Sequence, residues 1–140
     1  MFLYLDTSAL VKLYAHEADS FVVRRHVGRA KRVAIARIGY AEARAALARR
    51  AREGRTRPAQ LRRCVKRLDE DFAHLVVVEI DASLTQTAGD LAETHGLRGF
   101  DAIHLAAALR FEAEIGKQVA FLAFDAQLMK GARAAGLAAP

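Results

Sequence analysis

At 140 residues, 53% apolar and 27% charged, the chain has the size and composition of one globular domain, able to bury an ordinary core without staples. Its single cysteine, Cys64, excludes an internal disulfide framework and any cluster of thiolate metal ligands, and fits a reducing cytoplasm. Met1 leads directly into a strand-like segment rather than a basic region and a long apolar stretch, so no signal peptide is expected. No apolar run approaches the ~20 residues needed to span a bilayer, which argues against a membrane partner.

The net charge of +6 understates how unevenly charge is distributed. Of the 22 Lys and Arg, 16 fall between Arg24 and Arg67, where Glu42 and Glu53 are the only acids. A field divided in this way suits an anionic partner such as a phosphate backbone or an acidic peptide. Taken alone, the same run is also what a solvated helical surface looks like.

In chain order, Phe2-Leu3-Tyr4-Leu5 reads as a short buried strand that stops on Asp6. Thr7-Ser8 can cap the apolar helix Ala9 to Ala15. A helix over about Ser20 to Val27, a strand over Val33 to Ala36 and an alanine-rich helix from Ile38 to about Arg52 follow, the last stopped by Gly54. Pro58 suits the first position of the next helix, in which Leu61, Cys64, Val65, Leu68 and Phe72 keep helical spacing opposite a basic face. Cys64 is therefore read as a core residue. Leu75 to Val78 is a strand and Ser83 to about His95 a helix. Gly96 and Gly99 break the chain around Leu97-Arg98. Asp101 to Ala113 is read as a helix, Val119 to Leu122 as a strand, Ala126 to about Ala134 as a last helix, and Gly136-Leu137-Ala138 as a possible edge strand. Strands alternating with helices through short links predict an α/β fold with a parallel sheet covered on both faces, and no linker or repeat divides residues 1–140.

Four acids stand where acids are costly. Asp6 and Asp125 follow strands, at the end of an open parallel sheet where reacting groups collect. Asp101 opens a helix, either as a simple N-cap or as a charge stabilised by the helix N-terminus. Glu42 shares a helix face with Ile38, Ala45 and Ala46, with no Lys or Arg four residues away to pair with it. A buried, unpaired carboxylate costs several kcal/mol, so either the helix turns Glu42 outward or a cation meets it. Gathered in one cleft, the four would repel one another. A divalent cation removes that conflict, and oxygen-only ligands select Mg²⁺ or Mn²⁺ over zinc. Such an ion can turn water into a nucleophile and stabilise charge on a phosphoryl oxygen.

Leu5-Asp6-Thr7-Ser8-Ala9-Leu10, Glu42 on the third helix, Arg98-Gly99-Phe100-Asp101-Ala102-Ile103-His104-Leu105-Ala106 and Phe124-Asp125-Ala126-Gln127-Leu128 resemble, in order, the PIN-domain motifs of VapC toxins. The resemblance spans essentially the whole chain, and the Asp101 stretch is its most specific part. It implies a three-layer α/β/α sandwich, Mg²⁺-dependent cleavage of RNA (Mn²⁺ can substitute), inhibition by a small VapB-type antitoxin, and a homodimer. Position by position it gives Asp6, Glu42, Asp101 and Asp125 the catalytic and metal-holding roles, with the Ser8 hydroxyl in support. Phe124 is a departure, since many members carry a small or polar residue there.

His104, three residues after Asp101, is read first as a packed, hydrogen-bonded histidine and second as a metal ligand. The remaining acids sit on polar helix faces or in turns. A haloacid-dehalogenase-like phosphatase would need a second acid where Ser8 stands, and a phospho-receiver would need an acidic pair that Asp6-Thr7 does not supply. A catalytically degenerate PIN-like RNA-binding module explains the arginines but not Glu42.

Overall fold

The computed structural model describes residues 1–140. Its elements are β1 (Phe2–Leu5), α1 (Thr7–Val11), α2 (Ser20–Arg29), β2 (Arg32–Ala36), α3 (Gly39–Arg52), α4 (Pro58–Phe72), β3 (Val76–Val78), α5 (Ala82–His95), α6 (Gly99–Ile115), β4 (Val119–Leu122) and α7 (Ala126–Ala134). The four strands form one sheet in the order β3-β2-β1-β4, with every pairing parallel. β1 is therefore internal, with Tyr4 opposite Ala34 on one side and Phe121 on the other. An internal parallel strand has helices over both faces, which is why Phe2-Leu3-Tyr4-Leu5 is apolar throughout instead of alternating.

The two-residue side-chain period of the strands divides the core into two layers. Leu3, Leu5, Ile35, Ala120 and Leu122 point to one face and pack with Leu10 of α1, Val23 of α2, Ala43 and Leu47 of α3, and Leu68 of α4. Tyr4, Ala34, Ala36 and Phe121 point to the other and pack with Leu84 and Ala88 of α5, the Ala102 to Phe111 stretch of α6, and Leu128 and Ala132 of α7. The result is the expected three-layer α/β/α sandwich. α6 is buried along most of its length, and its run of alanines lets the helix lie close on the sheet. No helix is long and apolar enough to cross a membrane.

The chain winds outward from β1 through β2 to β3, then returns to place β4 on the opposite side of β1. The strand order reverses between β1 and β4, the place where open parallel sheets leave a crevice at the carboxyl ends of their strands. Asp6 follows β1 and Asp125 follows β4, one on each side of that crevice. The Asp6 N–H still bonds the Leu122 carbonyl at 3.1 Å, so the strand pairing holds up to the acid itself.

Several boundaries differ from the sequence expectation. The first helix begins at Thr7 and ends at Val11, and its cap is Asp6, not Thr7 or Ser8. Gly96 ends α5 in the left-handed conformation at φ 64°, as a breaker should. Gly99 does not break the chain, because α6 starts there, two residues before Asp101. The expected edge strand at Gly136 to Ala138 reduces to one parallel bridge between Ala120 and Ala138.

Leu68 is the only fully buried side chain of α4. Leu68→Ala should cost about 2–5 kcal/mol and speed amide exchange in α4 ahead of the sheet. Denaturant titration with site-resolved exchange checks this, and uniform loss of protection across the chain is the contrary result.

Candidate active site

Asp6 is 4% exposed and sits at the junction of β1 and α1. Its Oδ1 accepts from the Ala9 N–H at 2.9 Å and from the Ser8 hydroxyl at 2.6 Å. Burial raises its pKa; the two hydrogen bonds offset part of that, and the neighbouring negative charge of Asp101 adds to it. The Ser8 oxygen in turn accepts the Phe124 N–H at 3.0 Å. One hydroxyl thus ties the acid after β1 to the loop that carries the acid after β4.

Asp125 is the N-cap of α7, its Oδ1 accepting from the Leu128 N–H at 2.8 Å, so its second oxygen is the one free to face the crevice. Asp101 is not a cap. It lies in the first turn of α6, behind Arg98 at the N-cap, and its carboxylate accepts from the Arg98 guanidinium at 3.1 Å. The same guanidinium reaches Asp125 at 3.9 Å, while its side chain remains 83% exposed.

Glu42 stands at the edge of the core face of α3, which is formed by Gly39, Ala43 and Leu47, while Ala45 is exposed. The carboxylate is partly buried, and its partner is not on its own helix. Oε1 accepts from the Thr7 hydroxyl at 2.7 Å and faces His104 Nε2 at 2.7 Å. Burial alone would raise its pKa, but these hydrogen bonds outweigh it and hold the group below the ordinary glutamate value. The absence of a basic residue at i±4 is thus answered across the structure, by an imidazole from α6. His104 itself is buried and bonded as a packed histidine would be.

Two clefts meet at this carboxylate. One, of about 570 Å³, runs between α5 and α6 past Ala88, Ala92, Phe100, Asp101 and Arg98. The other, of about 650 Å³, runs past Thr7 and Ser8 to Arg49, Arg52 and Arg55 at the end of α3. Glu42 lines both. The first is mostly apolar with an acidic mouth, the second strongly basic.

The PIN-domain family model matches residues 3–133. Ribonuclease VapC45 of Mycobacterium tuberculosis (strain CDC 1551 / Oshkosh) is 38% identical over 133 residues, which are 95% of this chain and 90% of that protein. The chain belongs to the PIN-domain family, VapC type. Two solved structures share the fold of this PIN domain. VapC20 of Mycobacterium tuberculosis, described as a sarcin-ricin loop cleaving toxin, aligns with a TM-score of 0.69 at 19% identity over 96% of this chain and 95% of its own. VapBC2 from Rickettsia felis, bound to a DNA fragment from their promoter, aligns with a TM-score of 0.63 at 19% identity over 100% of this chain and 98% of that chain.

Three contacts around these acids are not evident from sequence: Thr7 on Glu42, Arg98 on Asp101, and Tyr4 on His104, whose Nδ1 lies 3.0 Å from the phenol oxygen. Thr7 looked like a helix cap, Arg98 like part of a chain break, and Tyr4 like a plain core residue. The one available signal was Tyr4, the sole polar side chain of an otherwise apolar strand, whose buried hydroxyl needs a partner.

As the side chains stand, no three His, Cys, Asp or Glu groups converge to close a metal cage. The donor chemistry nevertheless fits a hard divalent cation. Asp6 is a buried acid burdened by a second negative charge, and an exposed guanidinium stretches between Asp101 and Asp125 as a stand-in positive charge.

Two outcomes follow from these charges. A carboxyl with a raised folded pKa destabilises the fold wherever it is ionised, and the penalty vanishes at pH below its unfolded value. Asp6→Asn should therefore stabilise the metal-free protein at pH 7, with the gain fading as pH falls through the carboxylate range. Denaturation in chelator at pH 7 and pH 4 checks this; a mutant less stable than the parent at both contradicts it. If Asp101 and Asp125 take a divalent ion, Arg98→Gln should tighten Mn²⁺ binding by several-fold, read by titration calorimetry, because the guanidinium now paired with both acids would no longer compete; unchanged affinity would speak against these two as ligands.

Proposed function

We propose that this PIN domain is a Mg²⁺-dependent endoribonuclease acting in the cytoplasm as the toxin of a VapBC-type pair, with Mn²⁺ able to substitute. The observation that supports it most is that Asp6 and Asp125 flank the β1/β4 crevice, with Ser8 tying Asp6 to the loop before Asp125 and Arg98 spanning Asp101 and Asp125, while Thr7, the neighbour of Asp6, bonds Glu42 of α3. Asp6, Glu42, Asp101 and Asp125 would hold the ion, which when bound lowers the pKa of water and stabilises charge on the phosphoryl oxygen. The chain's own residues do the rest. Ser8 fixes the rotamer of Asp6 by donating to Oδ1, and Thr7 fixes Glu42 by donating to Oε1. The N-cap bond of Asp125 leaves one of its oxygens for the crevice. Arg49, Arg52 and Arg55 line the adjoining cleft, where a phosphate backbone would be drawn in and held next to the acids.

A small VapB-type antitoxin is the proposed partner and a homodimer the proposed assembly. The hold of Arg98 on Asp101 and Asp125 supports inhibition by a guanidinium from the partner, since that group matches these carboxylates in charge and geometry.

Purified, antitoxin-free protein should cut RNA in Mg²⁺ or Mn²⁺ and not in chelator. Asp101→Asn, with an unchanged circular dichroism spectrum, should lower the rate at least 100-fold. RNA binding with no metal-dependent cleavage by the parent would instead identify a degenerate binding module.

Binding and chemistry should separate by residue. Arg49→Ala or Arg63→Ala should weaken RNA affinity and reduce the steepness of its salt dependence by roughly one counterion per phosphate contact, leaving the single-turnover rate at saturating RNA unchanged. Affinities measured in Ca²⁺ at several salt concentrations decide this. If neutralising both left affinity and slope intact, the RNA would lie elsewhere.

A further inference from the structure

A chain of polar groups runs through the apolar layer beneath the site. The Tyr4 ring is fully buried in the middle of the sheet, stacked on Phe121 at a centroid distance of 5.5 Å. Its hydroxyl accepts the Ala36 N–H at 2.9 Å and lies 3.0 Å from His104 Nδ1. On the far side of the imidazole, Nε2 lies 2.7 Å from Glu42 Oε1 and 3.1 Å from the Thr7 hydroxyl. His104 is 2% exposed, so the imidazole itself is shielded from bulk water, while Thr7 and Glu42 stand at the edge of the cleft.

The hydrogen positions follow from what each group can do. Tyr4 already accepts from Ala36, and its own proton has only Nδ1 to go to, so Nδ1 is the acceptor. The imidazole proton is then on Nε2 and points at Glu42. The backbone N–H of the residue ending β2 thereby sets, through a phenol and an imidazole, which atom donates to an acid on α3. Gly39 contributes by bringing α3 in close: a Cβ there would clash with the Ile35 side chain and lie 3.7 Å from His104 Cε1.

We infer that Tyr4 and His104 are positioning residues for Glu42, locking the carboxylate in the orientation from which it serves the site at the junction of the two clefts. The inference rests on the reading of Glu42 as part of a divalent-cation site. Neither side chain touches substrate or ion. The Thr7 and His104 donors both engage Oε1, so Oε2 is the oxygen left for the crevice. Without the imidazole the carboxylate would keep only Thr7 and could rotate about its terminal torsion, which is broad by nature. Partners that orient a ligating group in this way typically change affinity or activity by about 10–100-fold when removed.

The test uses the full-length protein with three variants. His104→Leu removes the donor to Glu42; His104→Gln places an amide N–H near the position of Nε2; Tyr4→Phe keeps the stacked ring and removes only the hydroxyl. In the metal-free parent, the imidazole Nε2–H should give a slowly exchanging downfield proton resonance that shifts in Glu42→Gln. His104→Leu should weaken Mn²⁺ binding, measured by electron paramagnetic resonance, by about tenfold or more. It should also lower kcat for RNA cleavage by a similar factor, with KM within twofold, and His104→Gln should recover most of both losses. Tyr4→Phe, still folded, should move both in the same direction by less. A merely structural role predicts that Leu and Gln variants follow their melting temperatures and bind Mn²⁺ like the parent, and that result overturns the inference. So does an imidazole proton that is indifferent to Glu42→Gln. Failure of the parent to cleave RNA counts against the proposed activity, while the resonance and the Mn²⁺ affinities continue to decide the positioning role.

Discussion

Burying a carboxylate at the end of an internal strand is among the more costly things a small fold can do, and the arrangement around Asp6 follows from that cost. Asp6 cannot retreat to solvent, because its N–H completes the pairing with β4 and its side chain caps α1. The local hydrogen bonds from Ser8 and Ala9 compensate part of the desolvation but carry no charge. Asp101 makes the problem worse. What is missing is a positive charge, and the chain supplies one only at the rim, through the exposed Arg98. That counter-charge is solvent-exposed and reaches Asp101 and Asp125 but not Asp6. A small divalent ion fits carboxylate oxygens more closely than a guanidinium on a flexible stem can.

The same economy of charge explains why the basic residues lie where they do. A polyanion approaching a cluster of carboxylates is repelled until a cation neutralises them, so attraction must come from a separate surface. The cleft that leaves the site past Arg49, Arg52 and Arg55 is such a surface. It borders on the cleft that passes Arg50, Arg63 and Arg67, with Arg50 and Arg55 lining both. Glu42 stands at the wall between the basic cleft and the apolar one beside α5 and α6, so its orientation shapes the mouth of both.

The sequence made the layers and the acids legible because both are local in period. Four apolar residues ending on Asp6, or Val119 to Leu122 running into Asp125, need no knowledge of partners to be read as strands leading into a crevice. Glu42 was recognised as anomalous for a sound reason, the lack of a basic residue one turn away, but its solution could not be seen. His104 is 62 residues distant, and only the packing of α3 and α6 against the same end of the sheet joins them. The start of α6 lies two residues before the position the sequence suggests, because glycine reads as a breaker, whereas at the first position of a helix it costs little. Thr7 and Ser8 read as caps in the sequence, since short hydroxyls usually are. With Asp6 capping the helix itself, the two hydroxyls were released to orient acids.

The polar chain from Ala36 to Glu42 also shows how a site can be built into a core without weakening it. Each member satisfies its neighbour: the backbone N–H has the phenol oxygen, the phenol proton has Nδ1, and the Nε2 proton has a carboxylate. Such a chain is nearly all or none, because removing one link leaves a buried donor or acceptor unpaired on each side at about 1–3 kcal/mol apiece. The stability of the sheet and the orientation of Glu42 are therefore coupled. Loss of a link near β1 is felt at both ends of the chain, whereas loss of the last link, from Nε2 to the carboxylate, frees Glu42 and leaves the bonds among Ala36, Tyr4 and His104 in place.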